Sequence, residues 1–348
     1  MGQTLSEPVK DKHTTSDNDQ RLAYGASSMQ GWRISMEDAH TTILKLEDKT
    51  GKHVSFFAVY DGHGGQSVAK YSGAQLHERI TKDEGYAKGN YAQAIKQGFL
   101  GTDVDLRADP DFQHDPSGCT AVAALITDDW RILVGNAGDS RAVLSASGVA
   151  VPLSFDHKPV NPDESQRIIA AGGYVEFGRV NGNLALSRAI GDFEFKQNAD
   201  LPAEQQIVTA NPDIIERKLQ DTDEFVVIAC DGIWDCMTNQ DVVDFVRQKI
   251  AEDMNLPEIC EAMMDRCLAP DSELGGVGCD NMTVIIVGLL NNKPKEEWAA
   301  SIKQKVGPTK KEESAIVNGV PEDSTELVVV EEENTKLVGT ENTGDQAE

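Results

Sequence analysis

Val54 to Gly65 reads VSFFAVYDGHGG, a run of bulky apolar side chains that stops on a carboxylate, an imidazole and three glycines. The apolar part, Phe56-Phe-Ala-Val-Tyr60, has the length and the aromatic, β-branched composition of a buried strand. The chain therefore leaves the core directly into Asp61. The same pattern recurs: Phe225–Cys230 runs into Asp231, Ile132–Gly138 runs into Asp139, and Asp280 immediately precedes the apolar stretch Met282–Val287. Four carboxylates thus stand where core strands meet solvent. One Asp-Gly is ordinarily a turn residue or a helix cap, but that reading weakens as the pattern repeats. If the four ends converge, repulsion among the acids calls for cations. A donor set of carboxylates, carbonyls and water, without a histidine or cysteine cluster, suits hard ions, magnesium or manganese rather than zinc. Gly62 would let a backbone carbonyl approach such an ion, and Gly64 and Gly65 would open a bend beside a substrate.

Further apolar runs of strand length occupy Cys119–Thr127, Arg131–Val134, Arg141–Ser145 and Met282–Leu290. In Val175–Leu186 the pair Asn181-Gly182 lies between alternating residues, a hairpin signal because both turn positions tolerate positive φ. Helical periodicity marks Gly65–Lys82, Asn90–Leu106, Asp163–Ala171 and Leu256–Leu268. It also marks Asn239–Asp253, where Val242, Phe245, Val246 and Ile250 share a face and Asn239 is the candidate cap. Strands grouped together, with helices between only some of them, indicate an α+β fold, a sandwich of two antiparallel sheets flanked by helices rather than a doubly wound parallel sheet.

The chain has 348 residues and a formal net charge of -26, which repels nucleic acid and anionic lipid and excludes a nucleic-acid-binding role. No apolar run reaches the roughly 20 residues that cross a bilayer. Six cysteines without a CxxC pair suit a reducing compartment, and a polar N-terminus without a signal-peptide core points to the cytoplasm or nucleus. Residues 1–20 read as a flexible N-terminus and 21–292 as the folded body. Residues 293–348 read as an acidic, disordered tail, with a thin cluster of Lys303, Lys305, Lys310 and Lys311 ahead of its most acidic part. Met1-Gly2-Gln-Thr-Leu-Ser6 fits the N-myristoylation pattern, and one such chain without a polybasic neighbour gives at most weak membrane contact.

A second cluster lies in Gly31-Trp32-Arg33-Ile34-Ser35-Met36-Glu37-Asp38, where a guanidinium sits four and five residues from paired acids. Alone this is a surface ion pair. Beside a metal centre, Arg33 would grip a phosphate with its planar fork while Glu37 supplies a ligand oxygen.

Taken in order, GWRISMEDAH (31–40), FFAVYDGHGG (56–65), SGCTAV (117–122), GNAGDSRAVL (135–144), HKPVNPDESQRIIAAGG (157–173), VNGNLALSRAIGDFEFK (180–196), ACDGIWD (229–235) and CDNMTVIIV (279–287) closely resemble the metal-dependent protein phosphatases of the PP2C (PPM) family. The resemblance covers roughly residues 21–292 and is strongest to the fungal and animal single-domain members. It implies a phosphoserine/phosphothreonine protein phosphatase that uses a water activated by two metal ions, with no covalent phospho-enzyme. By the same resemblance Asp61 bridges the two Mg2+ or Mn2+ ions. Glu37 and the Gly62 carbonyl complete one site, and Asp231 and Asp280 the other. Asp139 and Asp235 would join Asp231 around a third, weaker ion found in some members. Asp38 orients water, His63 is the general acid and Arg33 binds phosphate. The implied partners are phosphorylated proteins, signalling kinases among them, and the implied state is a monomer. A variable flap is expected within about residues 157–196, with Arg179 and Arg188 either facing substrate or pairing with acids. Cys279 departs from the family, many members having arginine before the ligand Asp280, and reads as a buried, inert thiol.

Two rival readings are available. Cys260–Arg266 has the C-x5-R spacing of cysteine-dependent phosphatases, but helix formers replace the small residues such a loop needs, and Glu261 and Asp265 oppose a thiolate. A non-catalytic phosphoprotein-binding module would be expected to have lost the metal acids, and this chain keeps them all.

Overall fold

The computed structural model describes residues 4–46, 50–272 and 276–306. Gly2 and the acidic segment 307–348 lie outside the described residues, so the lipidation and disordered-tail expectations are not addressed by it. In chain order the first elements are strands β1 (Thr4–Asn18), β2 (Leu22–Arg33), β3 (Ala39–Ile43), β4 (Ser55–Tyr60) and β5 (Gly62–His63), followed by helices α1 (Ser67–Lys82), α2 (Glu84–Ala87) and α3 (Tyr91–Ala108). Strands β6 (Gly118–Cys119), β7 (Ala121–Ile126), β8 (Arg131–Ala137), β9 (Arg141–Ala146) and β10 (Val149–Pro152) lead into α4 (Pro162–Ala170). The short β11 (Val175–Glu176), β12 (Arg179–Val180) and β13 (Ile190–Gly191) precede β14 (Asp213–Lys218) and β15 (Asp223–Ala229). Helices α5 (Asp231–Trp234), α6 (Asn239–Ala251) and α7 (Leu256–Cys267), strand β16 (Met282–Leu289) and helix α8 (Lys295–Val306) complete the chain.

Two antiparallel sheets stack, one of six strands in the order β1-β2-β16-β15-β9-β10 and one of five in the order β14-β8-β7-β4-β3. This is the expected α+β sandwich. Unlike an antiparallel sheet with a wet face, both sheets are covered on both sides, which explains why their strands read as continuous apolar runs rather than alternating ones. In β4, Phe56, Ala58 and Tyr60 pack with Leu76 and Ile80 of α1 and Ile95 and Phe99 of α3, while Phe57 and Val59 face the other sheet. In β15, Phe225, Val227 and Ala229 pack under α6 and α7, while Val226 and Ile228 turn to the middle layer. Each large apolar side chain so buried contributes roughly 1.5–3 kcal/mol.

Four boundaries differ from the sequence reading. Residues 4–18 are an ordered edge strand, paired antiparallel with β2 from Thr4↔Arg33 to Asn18↔Ala23 across two register breaks. Its polar sequence hid it because backbone pairing and polar contacts hold it, such as Thr14 Oγ1 donating to Glu261 Oε1 at 2.6 Å, instead of apolar burial. The body also extends past 292. Helix α8 buries Trp298 and Ile302 in the core beneath α6, and Trp298 Nε1 donates to the Glu224 carbonyl at 2.9 Å. Thr238, not Asn239, caps α6, in a reciprocal box with Asp241. At the expected hairpin, Asn181 and Gly182 do take positive φ and an antiparallel bridge Val180↔Leu184 closes their turn, but the two-stranded ladder β11–β12 joins four residues earlier, at Phe177-Gly178. Residues 157–196 carry α4 and these strands over a small core of their own, Ile168, Val180, Ala189, Phe195 and Val208.

Candidate functional site

Strand pairing brings the acids together. The β4–β7 ladder ends at Val59↔Val122, the β7–β8 ladder begins at Ala121↔Ala137, and Ala229 of β15 pairs with Val284 of β16. Asp61, Asp139, Asp231 and Asp280 therefore leave their strands at one end of the sandwich. Carboxylate oxygens of Asp61, Asp139 and Asp231 lie within 4.8 Å of one another, and ligand atoms of Asp38, Asp61 and Cys230 form a second such group. Asp61, Asp139 and Asp231 line one cleft of about 310 Å³ with Asp280, Arg33 and His63.

The loop bearing Glu37 and Asp38 is fastened to the Asp280 strand by Asn281. Its amide accepts from the Glu37 N–H at 2.9 Å and donates to the carbonyls of Gln30 at 2.8 Å and Ser35 at 2.9 Å. Ser35 Oγ in turn donates to Glu37 Oε1 at 2.8 Å. The glycines here are required by close backbone approach. A Cβ on Gly62 would lie 2.2 Å from the Glu37 carbonyl oxygen, and one on Gly232 2.1 Å from that of Asn281.

Electrostatics follow from the crowding. Burial, then repulsion from Asp231 and the other acids, holds the Asp61 carboxyl well above the usual range. Burial and the charges of Asp139 and Asp280 do the same to Asp231. Asp38 is pushed up to about 7, mainly by burial, against the pull of Thr283, whose Oγ1 donates to its Oδ2 at 2.7 Å. The other oxygen of Asp38, Oδ1, is buried without a hydrogen-bond partner among the described residues. A cluster of mutually repelling carboxylates with an orphaned buried oxygen is what a bound hard cation and its water would satisfy. Cys230 is a poor ligand beside them, because burial raises its thiol well above the usual value and keeps the proton on.

Arg33 stands at the mouth, its Nη2 2.5 Å from Asp280 Oδ2; burial opposes its charge, but Asp280 outweighs it and the guanidinium is held more firmly protonated. His63 Nε2 lies 2.7 Å from Asp192 Oδ2. Burial alone would lower the imidazole, yet the bond and charge of Asp192 raise it. Lys158 donates to Asp139 Oδ2, placing an ammonium on one of the proposed third-ion acids. Asp235, one turn beyond Asp231, is raised by partial burial of its carboxyl and by the charges of Asp139 and Asp280, against the pull of Lys158.

The two flap arginines separate. Arg179 is exposed and lines the cleft, its Nη1 donating to the Asn183 carbonyl at 2.7 Å. Arg188 is tied to Glu164 at 2.6 Å and to Asp213 at 2.7 Å. Cys260 is buried in α7 against the Gly25 carbonyl, and burial pushes its thiol up, which removes the cysteine-phosphatase reading. Cys279 is likewise buried. Asn281, Thr283, Lys158 and Asp192 escaped the sequence reading. All four lie inside the quoted motifs, but nothing local in those motifs shows which acid or imidazole each one meets.

The family model described as Protein phosphatase 2C matches residues 22–274. A "Protein phosphatase 2C homolog 2" of Aspergillus flavus is 57% identical over 307 residues, covering 85% of this chain and 70% of that protein. The protein of the same name in Schizosaccharomyces pombe is 55% identical over 308 residues, covering 88% of this chain and 83% of its own length. Among solved structures, a phosphatase from Toxoplasma gondii superposes with a TM-score of 0.69 at 26% identity, over 81% of this chain and 96% of that one.

Proposed function

The chain belongs to the protein phosphatase 2C family, and on that premise we propose how its residues divide the work of a metal-dependent protein serine/threonine phosphatase. The observation that supports the assignment most is the gathering of four strand-end acids in one cleft with Arg33 and His63. Two hard cations, Mg2+ or Mn2+, are assigned to Glu37, Asp61, the Gly62 carbonyl, Asp231 and Asp280, with Asp139 and Asp235 available to a third. Bound there, the ions would lower the pKa of a water to make it a nucleophile near neutral pH and offset phosphate charge.

The chain's own groups do the rest. Arg33, half-exposed at the mouth, offers its remaining N–H groups to the phosphoryl oxygens, and its pairing with Asp280 fixes the fork's direction. Asp38 Oδ1, buried and without a hydrogen-bond partner among the described residues, accepts a hydrogen bond from the attacking water and orients it. His63 gives a proton to the departing serine or threonine oxygen, a strong base that leaves poorly without one. No thiol competes with water as nucleophile, since Cys230 is held protonated beneath the site. Phosphorylated proteins are the substrates. The test is hydrolysis of a phosphothreonine peptide by protein treated with EDTA and then resupplied with magnesium or manganese. Activity should vanish and return; full activity in the chelated protein would sink the assignment.

A further inference from the structure

We propose that Asp192 is the positioning residue for His63, and that Gly118 is the gap through which the two side chains meet. The proposal rests on the general-acid reading of His63. Three two-residue strands, β13, β6 and β5, form a small sheet of their own beside the cleft. In it His63 stands opposite Gly118, and Gly118 stands opposite Gly191. Asp192 follows directly, so the imidazole and the carboxylate come from the two outer strands and meet across the middle one. Only a glycine permits this. A Cβ at Gly118 would lie 2.3 Å from Asp192 Oδ2 and 2.7 Å from His63 Nε2.

Asp192 is held for the purpose. It is 5% exposed and adopts the left-handed backbone, φ 51°, a conformation that costs a non-glycine residue free energy and persists where the surroundings over-determine it. Its N–H bonds the Ser117 carbonyl at 3.3 Å. On either side the segment is pinned to α3: Asp103 accepts from the Gly191 N–H at 2.8 Å and from Lys196 Nζ at 2.5 Å, and Lys196 also reaches the Ala189 carbonyl at 2.8 Å. A buried ion pair and these backbone bonds thus brace the segment from Ala189 to Lys196 around Asp192. With Nε2 engaged, Nδ1 is the ring nitrogen without a hydrogen-bond partner among the described residues, and it is the one left to serve the leaving oxygen. Asp192 itself does not line the cleft, which makes it a positioning residue rather than one that touches substrate.

The consequence is a leaving-group signature that damage to the fold would not produce. A phosphothreonine alkoxide needs the proton; the nitrophenolate of p-nitrophenyl phosphate does not. Asp192→Ala should lower kcat on a phosphothreonine peptide by about 100-fold, the lower end of what general-acid help supplies, and lower it only a few-fold on p-nitrophenyl phosphate, with KM little changed. His63→Gln should show the same selectivity, and the double variant should be no slower than His63→Gln alone, because the two act as one unit. Asp192→Asn keeps the shape of the side chain and serves if the alanine variant does not fold; it should keep the selectivity with a smaller loss. Equal losses on both substrates, or losses that multiply in the double variant, would overturn the role of Asp192. Selectivity in His63→Gln that neither Asp192 variant shares would overturn it too while leaving the general acid in place. An unselective His63→Gln would remove the general-acid reading and this inference with it.

Discussion

Asp61 and Glu164 each sit among charged neighbours, but the neighbours differ in sign. Around Asp61 stand Asp231, Asp38, Asp139 and Asp280, and together with burial they push its carboxyl well above the usual range. Around Glu164, only 3% exposed, stand Arg167 at 2.7 Å, Arg188 at 2.6 Å and the Ser187 hydroxyl at 2.6 Å. Burial alone would raise Glu164; these partners more than offset it and bring it down to about 2. The strand-end cluster is compensated only in part, by Lys158 on Asp139 and Arg33 on Asp280, while Asp61 and Asp231 have no ion pair among the described residues, so it weakens the fold until something binds. The Glu164 cluster is closed on itself and fastens the flap segment to Asp213 of β14 through Arg188. Charge density alone therefore does not mark a site. What marks one is density of a single sign facing a cleft.

The largest expected effect separates the two clusters most sharply. Asp231→Asn should cut hydrolysis of a phosphothreonine peptide by about 10³-fold, the scale of losing one group that stabilises developing charge. The same variant in EDTA should melt no lower than the wild type, because a repelling carboxylate has gone. A lower melting temperature in EDTA would mean that Asp231 serves the fold and would erase the contrast.

Glu164→Gln should behave in the opposite way. Breaking a buried, compensated pair leaves Arg167 and Arg188 short of a counter-charge and should cost about 3 kcal/mol of stability, read by denaturant unfolding. The pH dependence gives the sign. Since the folded pKa of about 2 lies below the ordinary glutamate value of 4.5, the Glu164 contribution is fully present above 4.5 and is lost as pH falls toward 2. The stability gap between wild type and Glu164→Gln should accordingly be flat from pH 8 to 5 and close below it. A gap that widens on acidification would contradict the pairing.

Adding ions sharpens the comparison from the other side. Magnesium or manganese at a hundredfold excess over its dissociation constant should stabilise the wild type by about 2.7 kcal/mol through binding to the folded state alone. Glu164→Gln should gain as much, and Asp231→Asn clearly less. Equal gains in all three would place the ion elsewhere.

The same contrast explains what could be read from sequence. Core strands ending abruptly on Asp61, Asp139 and Asp231 are legible because an apolar run that stops on an acid is a local pattern, and the quoted motifs then supplied the rest of the acid set. Glu164 was invisible as a partner of Arg188 and Arg167, since three charges within helix α4 and its surroundings look like a solvated face until tertiary structure buries them. Strand β1 was missed because an edge strand needs no apolar alternation when a neighbour supplies the ladder and polar side chains do the packing. Helix α8 was missed because two residues, Trp298 and Ile302, carry its attachment within an otherwise charged stretch. His63 was legible, but its partner Asp192 lies 129 residues away and meets it only through the register of three very short strands.

The smallest expected effect lies within the flap, where Arg179 and Arg188 divide between the two plans. Arg188 belongs to the closed cluster, and its replacement should act on stability. Arg179 is exposed, bonded only to the Asn183 carbonyl among the described contacts, and borders the acidic cleft. Its positive charge can meet a phosphorylated substrate only at the rim, where solvent screens it, so Arg179→Ala should raise KM for a phosphopeptide by about two- to five-fold. Turnover at saturation and the melting temperature should stay as they are, and the KM difference should shrink in high salt as the screening length shortens. A loss of stability instead would move Arg179 into the company of Arg188. A loss of kcat at unchanged KM would bring it inside the cleft, in contact with the reacting phosphoryl group alongside Arg33.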